Sequence, residues 1–194
     1  MENAVIIFVR NPILGQVKTR LAKTMGNANA LKVYEKLLEH TQQVLQNIDC
    51  HKFVFYADGI NTNDMWPASL YIKREQKTGD LGEKMLAAFS DVFKEGYRKV
   101  LIVGSDCYDL TNEIVEEAFE KLHHTDLVFG PAADGGYYLF GQKQVHQQIF
   151  NVKEWSTATV LSESLMLAEQ DALSYTLLPV LQDVDEEKDV YFDY

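Results

Sequence analysis

At 194 residues the chain has the length of one ordinary to large domain, expected to span 1–194 as a single unit. Its 46% hydrophobic content can fill a core and argues against disorder. A formal net charge of -11 argues against nucleic acid and acidic membrane surfaces as partners, because both need a basic face.

No apolar run reaches the roughly 18 residues of a membrane span, and the first residues lack the charged start and apolar stretch of a signal peptide. No membrane insertion and a cytoplasmic location are therefore expected. Cys50 and Cys107 have no CxxC spacing and no histidine cluster beside them, so neither structural zinc nor a disulfide framework is expected.

The first element is an apolar run, Ala4 to Arg10, which reads as a strand and empties into a loop carrying Gly15, Lys18, Thr19 and Arg20. Leu31, Tyr34, Leu37, Leu38, Thr41, Leu45 and Ile48 then share one helical face. Phe53 to Ala57 reads as a second strand and Ser69 to Lys73 as a third. Asp80 and Glu83 stand at capping-box spacing before a helix marked by Leu86, Phe89 and Phe93. Lys99 to Gly104 is a buried strand. Ile114, Val115, Ala118, Phe119 and Leu122 form the next helical face, with Thr111 as its N-cap.

Asp126 to Gly130 and Tyr137 to Gly141 read as two further strands separated by Gly135-Gly136. A helix marked by Val160, Leu161, Leu165 and Ala168 and a last strand, Ser174 to Leu178, follow. This alternation predicts an α/β fold with a mostly parallel sheet covered on both faces. The close pair of strands around Gly135-Gly136 predicts one antiparallel departure, hence a mixed sheet.

In open α/β sheets ligands gather at the carboxyl ends of the strands, so the polar residues after each strand carry the information. Lys18 and Arg20 suit the oxygens of a di- or triphosphate, the arginine as a fork and the lysine as a point charge. Backbone N–H groups near Gly15 would add to that cradle. Gln76, Gly79 and Asp80 follow the third strand. Asp106, beyond the fourth, can hold Mg²⁺ or Mn²⁺, with Asp185 or Asp183 as the second carboxylate.

Plainer roles stay open at this level. Asp80, Asp106 and Asp109 can each cap a helix. Residues 183–187 can be a solvated acidic turn. Gly135-Gly136 can be a tight turn, and Trp155 can pack in the core rather than stack on a ligand.

Taken together, Gly15 to Leu21, Gly79-Asp80-Leu81-Gly82, Gly104-Ser105-Asp106-Cys107, Gly130 to Ala132 with Asp134 to Leu139, Trp155-Ser156-Thr157 and Asp183-Val184-Asp185 run in order along nearly the whole chain. In these segments the chain resembles the small bacterial GT-A-type transferases, a glycosyltransferase and domain-of-unknown-function group akin to guanylyl- and molybdopterin nucleotidyltransferases. The resemblance implies the nucleotide-diphospho-sugar transferase fold, a three-layer α/β/α sandwich. It also implies a nucleotide or nucleotide-sugar donor, a divalent cation and a small-molecule acceptor. The first half would hold the nucleotide. The second would shape the acceptor side, with Asp134, Gly135, Gly136, Tyr137 and Trp155 there and Asp134 orienting or deprotonating the attacking hydroxyl.

Three features depart from the group. Tyr108 stands where proline is common, Glu186 where threonine is common, and no Asp-x-Asp follows the fourth strand. The expected function is a metal-dependent transferase of the nucleotide-diphospho-sugar (glycosyl) type. Nucleotidyl transfer with pyrophosphate release is the alternative, and a non-catalytic nucleotide-binding protein is a third.

Overall fold

A computed structural model describes residues 2–194. The buried run β1 (Asn3–Val9) lies between β2 (His51–Tyr56) and β4 (Lys99–Val103), parallel to both. β3 (Tyr71–Glu75) pairs in parallel with β2 and forms one edge. On the other side β6 (Tyr137–Gln142) runs antiparallel to both β4 and β5 (Leu127–Pro131), and β7 (Tyr175–Leu177) closes the far edge parallel to β5. The sheet order is β3-β2-β1-β4-β6-β5-β7, and β6 is the antiparallel departure expected around Gly135-Gly136.

The period-2 alternation of β1 divides the core. Val5, Ile7 and Val9 pack with Tyr34, Leu38 and Leu45 of α1 (Thr19–Gln46) and with Val115, Ala118 and Phe119 of α3 (Asn112–Lys121). Ala4 and Ile6 face the opposite layer, packing with Met85, Phe89 and Val92 of α2 (Leu81–Phe93) and Ala168 of α4 (Val160–Gln170). The result is the expected mixed α/β/α sandwich.

Some boundaries differ from the sequence reading. The third strand begins two residues later, at Tyr71, because Pro67 to Leu70 closes a turn through Leu70 N–H and Tyr71 N–H to the Pro67 carbonyl. Helix α1 begins much earlier than Leu31, at Thr19. Gly26 (φ 79, ψ 158) breaks it internally into two helical pieces, which hid its first turns from a periodicity count. The caps match the sequence: the Asp80 side chain accepts from Glu83 N–H, Glu83 answers to the Asp80 N–H, and Thr111 caps α3.

The chain end folds back over the sheet rim. Leu181 bridges Ala132, Asp183 bridges Cys107, and Val184 N–H donates to the Asp106 carbonyl at 2.9 Å. Val184 is buried against Leu21, Val33 and Leu37 on the outer side of α1. Tyr108 stacks on Phe192, with ring centroids 3.8 Å apart, so the residue replacing the common proline anchors this C-terminal strap. Glu186 has a comparable local role: its carbonyl accepts from Asp189 N–H at 2.9 Å and its N–H donates to the Asp189 carboxylate at 2.8 Å, at the head of the 3-10 turn Glu187–Asp189.

Candidate functional site

A cleft of about 830 Å³ opens at the carboxyl ends of β1 and β4, bounded by the first loop, the start of α2 and the C-terminal strap. Its centre joins residues far apart in sequence. Lys18 Nζ lies 2.7 Å from Asp106 Oδ1 and 3.6 Å from Asp185 Oδ1, and donates to the Val184 carbonyl at 2.7 Å. The Lys18 side chain is only 7% exposed, so these oxygens surround an ammonium largely withdrawn from water. Arg20 Nη1 reaches Asp185 Oδ2 at 3.2 Å, with 69% of its side chain still exposed.

Lys18 holds this position from an unusual backbone. It is the N-cap residue of α1 in the left-handed region (φ 45, ψ 48), with no side-chain cap. A non-glycine residue there costs on the order of 1–2 kcal/mol, and such outliers persist where surrounding contacts fix them. Here the fixing contacts are the three oxygens around the ammonium.

The strap sets the acids. The Asp189 carboxylate accepts from the N–H groups of Asp185 and Glu186, at 3.1 and 2.8 Å, which orients residue 185 toward Lys18 and Arg20. Asp183 sits deeper. Burial, then the negative charges of Asp106 and Asp134, push its carboxyl up to about 7, with Lys18 opposing them. Burial does most of this, and the neighbouring carboxylates add to it.

Of the residues singled out from sequence, Lys18, Arg20, Gln76, Gly79, Asp80, Asp106, Tyr137, Asp183 and Asp185 line this one cleft. Gly15, Asp134, Gly135, Gly136 and Trp155 are not among its lining residues. Gly15 (φ 78) turns the first loop. The Asp134 carboxylate accepts from Gly136 N–H at 2.9 Å and closes the turn between β5 and β6. Gly135 (φ 92) presses against the Ala158 carbonyl, where no side chain fits. Trp155 lies across Gly82, whose missing side chain makes room for the indole. Asp80 caps α2 and borders the cleft as well.

Arg10, Tyr34 and Lys84 also line the cleft, and the sequence reading gave them no site role. Tyr34 O–H donates to the Arg10 carbonyl (3.1 Å) and accepts from the Arg10 N–H (2.9 Å), pinning the chain where it leaves β1. On sequence it reads as one more apolar position in the α1 stripe. Arg10 is the charged end of an otherwise apolar run, and Lys84 is a cation near a helix start, where the dipole disfavours one. Those were the available signals.

Residues 39–157 match the family described as uncharacterized protein conserved in bacteria (DUF2064). The chain belongs to this family. A crystal structure of a candidate nucleotide-diphospho-sugar transferase from Desulfovibrio desulfuricans G20 superposes with a TM-score of 0.90 at 31% identity, covering 96% of this chain and 84% of that one. More distant folds share the DUF2064 architecture. CMP:2-keto-3-deoxy-manno-octonic acid synthetase complexed with CTP matches at TM-score 0.62 and 8% identity, covering 97% of this chain and 95% of that one. The 4-diphosphocytidyl-2C-methyl-D-erythritol synthase of Anaerococcus prevotii DSM 20548 matches at 0.61 and 9%, covering 97% and 92%. No curated protein matches the chain. Among the described residues no helix is long and apolar enough to cross a membrane.

Proposed function

We propose that this DUF2064 protein is a metal-dependent transferase that takes a nucleotide-activated donor, of the nucleotide-diphospho-sugar (glycosyl) type. The observation that carries the reading is the meeting of Lys18, Asp106 and Asp185 at the centre of one cleft, from three segments far apart in the chain. The 31% identical relative, itself a candidate nucleotide-diphospho-sugar transferase, supports the choice of donor.

The residues suit a divalent ion, Mg²⁺ or Mn²⁺. Asp106 Oδ1, the Val184 carbonyl and Asp185 Oδ1 already surround one cation, and burial, followed by the charges of Asp106 and Asp134, raises the Asp183 carboxyl beside them. Among the described residues no three His, Cys, Asp or Glu side chains form a cage by themselves. Mg²⁺ commonly uses one or two carboxylates and completes its shell with substrate phosphate and water. Asp106 with Asp185 or Asp183 would hold it. When bound, such an ion neutralises phosphate charge and stabilises the leaving group.

The chain's own residues do the rest. Arg20 offers its exposed guanidinium edge to phosphate oxygens, and Lys18 holds Asp106 and Asp185 in register. Gln76, Gly79 and Asp80 border the nucleotide. On the β5–β6 side, Asp134 would orient or deprotonate the acceptor hydroxyl. Rate enhancement would come chiefly from positioning and fixed charge.

One observation favours a second reading, nucleotidyl transfer. The acids come from two distant segments, residue 106 and residues 183–185, rather than from an Asp-x-Asp pair directly after the fourth strand. Two parallel assays separate the readings: pyrophosphate release from nucleoside triphosphates, and sugar release from nucleotide sugars, each with Mg²⁺. Sugar release supports the first reading; pyrophosphate without sugar release replaces it with the second.

A further inference from the structure

We infer that the donor's phosphates are gripped by Arg10 and Lys84, two residues of the cleft wall that no sequence motif marks. The inference rests on the transferase reading above for its choice of ligand and deepens it.

The argument is a charge inventory of the cleft. Four cations line it: Arg10, Lys18, Arg20 and Lys84. Lys18 is committed: its ammonium has three oxygen partners, two of them at 2.7 Å, and 7% exposure. To meet a phosphate it would have to abandon Asp106 and the strap carbonyl. Arg20 is half-committed, through Asp185. Among the described residues, neither Arg10 nor Lys84 has a carboxylate within 4 Å. The chain carries 29 Asp and Glu against 18 Lys and Arg. What sets Arg10 and Lys84 apart from the chain's other unpaired cations is that both line the cleft, where they are positioned for an anion from outside.

Both are mounted on fixed backbone. Tyr34 clamps the Arg10 N–H and carbonyl, so the guanidinium is projected from a rigid point at the exit of β1. Lys84 stands one turn into α2, its own N–H bonded to the Asp80 carbonyl at 3.1 Å, behind the Asp80–Glu83 capping box. That capping box also bears on the simplest rival: the Asp80 carboxylate accepts from Glu83 N–H at the α2 N-terminus, so the helix end already carries negative charge, and the Lys84 side chain supplies positive charge beside it. A forked guanidinium and a point-charge ammonium, on separate elements flanking one cleft, suit the several oxygens of a di- or triphosphate.

The test uses inorganic tripolyphosphate, which carries no base and no sugar, titrated calorimetrically with and without Mg²⁺. The variants are Arg10→Gln, Lys84→Gln and, as a control of equal charge change, Lys32→Gln on the exposed side of α1. Each cleft variant is expected to weaken binding at least ten-fold, with Lys32→Gln close to wild type and Arg10→Lys recovering part of the loss. Melting temperatures without ligand are taken alongside. A variant that melts with the wild type yet binds weakly has lost the grip rather than the fold.

Cleft variants that bind as tightly as Lys32→Gln would overturn the inference, and so would a wild-type protein that does not bind tripolyphosphate. The transferase reading fails separately: tripolyphosphate bound through Arg10 and Lys84, with neither sugar nor pyrophosphate released from any nucleotide substrate, would retain the grip and discard the activity.

Discussion

Lys18 Nζ and Asp106 Oδ1 are 2.7 Å apart, although one residue follows the first strand and the other the fourth. Asp185 completes the group from the C-terminal strap. Lys18→Met should therefore leave two acids, Asp106 and Asp185, facing one another without their shared cation. We expect it to lower stability by about 1–3 kcal/mol in urea denaturation at neutral pH. Because the Asp106 side chain is 48% exposed, solvent screens its share. Asp106→Asn should lose less, and the double mutant should show a coupling of about 1 kcal/mol. Strict additivity of the two changes would mean that the pair is incidental.

The raised carboxyl of Asp183 gives stability a definite pH dependence. An ordinary carboxyl titrates near pH 4 in the unfolded chain, whereas this one is pushed up to about 7 in the fold. Between those values the folded state binds the extra proton, so stability is greatest at the acid end of the window and declines as pH rises through about 7. Asp183→Asn should flatten that decline and melt above wild type at pH 8. Parallel melting curves for the two proteins across the window would contradict this assignment.

Much of this arrangement was legible in the sequence. The apolar runs gave the strands, and the residues after them gave Lys18, Arg20, Asp106 and the 183–185 acids, which all reach one cleft. What could not be read was partnership. Nothing in a linear sequence says that Lys18 turns inward to the acids while Arg10 and Lys84 stay unpaired, because that depends on how the strap folds back over α1. Trp155 shows the same limit: its indole packs on Gly82, a vacancy visible only in three dimensions. The early start of α1 was hidden by Gly26, whose positive φ interrupts the helical period.

The clamp on Arg10 is open to a single-atom test. Tyr34→Phe removes both hydrogen bonds to the Arg10 backbone while keeping the buried ring. It leaves an N–H and a carbonyl without partners, which costs about 1–3 kcal/mol. Urea denaturation should record the loss. Hydrogen exchange should show faster exchange at the Arg10 amide, and unchanged exchange there would rule the clamp out.

Gly135→Ala addresses the β5–β6 turn. Its φ of 92 is disfavoured for alanine, and the new methyl would collide with the Ala158 carbonyl. A loss of more than about 2 kcal/mol is expected, from strain combined with overpacking. Gly59→Ala, with φ 97 but open space around it, separates the two contributions and should lose only the conformational part.

The central claim, that Asp106 and its partners form the centre at which a nucleotide's phosphates are held, is tested most directly by calorimetric titration of wild type and Asp106→Asn. Both proteins are titrated with nucleoside triphosphates and nucleotide sugars in the presence and absence of Mg²⁺. We predict that at least one of these ligands binds wild type in a Mg²⁺-dependent manner, and that Asp106→Asn weakens this binding by roughly ten-fold or more, in line with the loss of a charged contact. Equal affinity of the two proteins, indifferent to Mg²⁺, would contradict it.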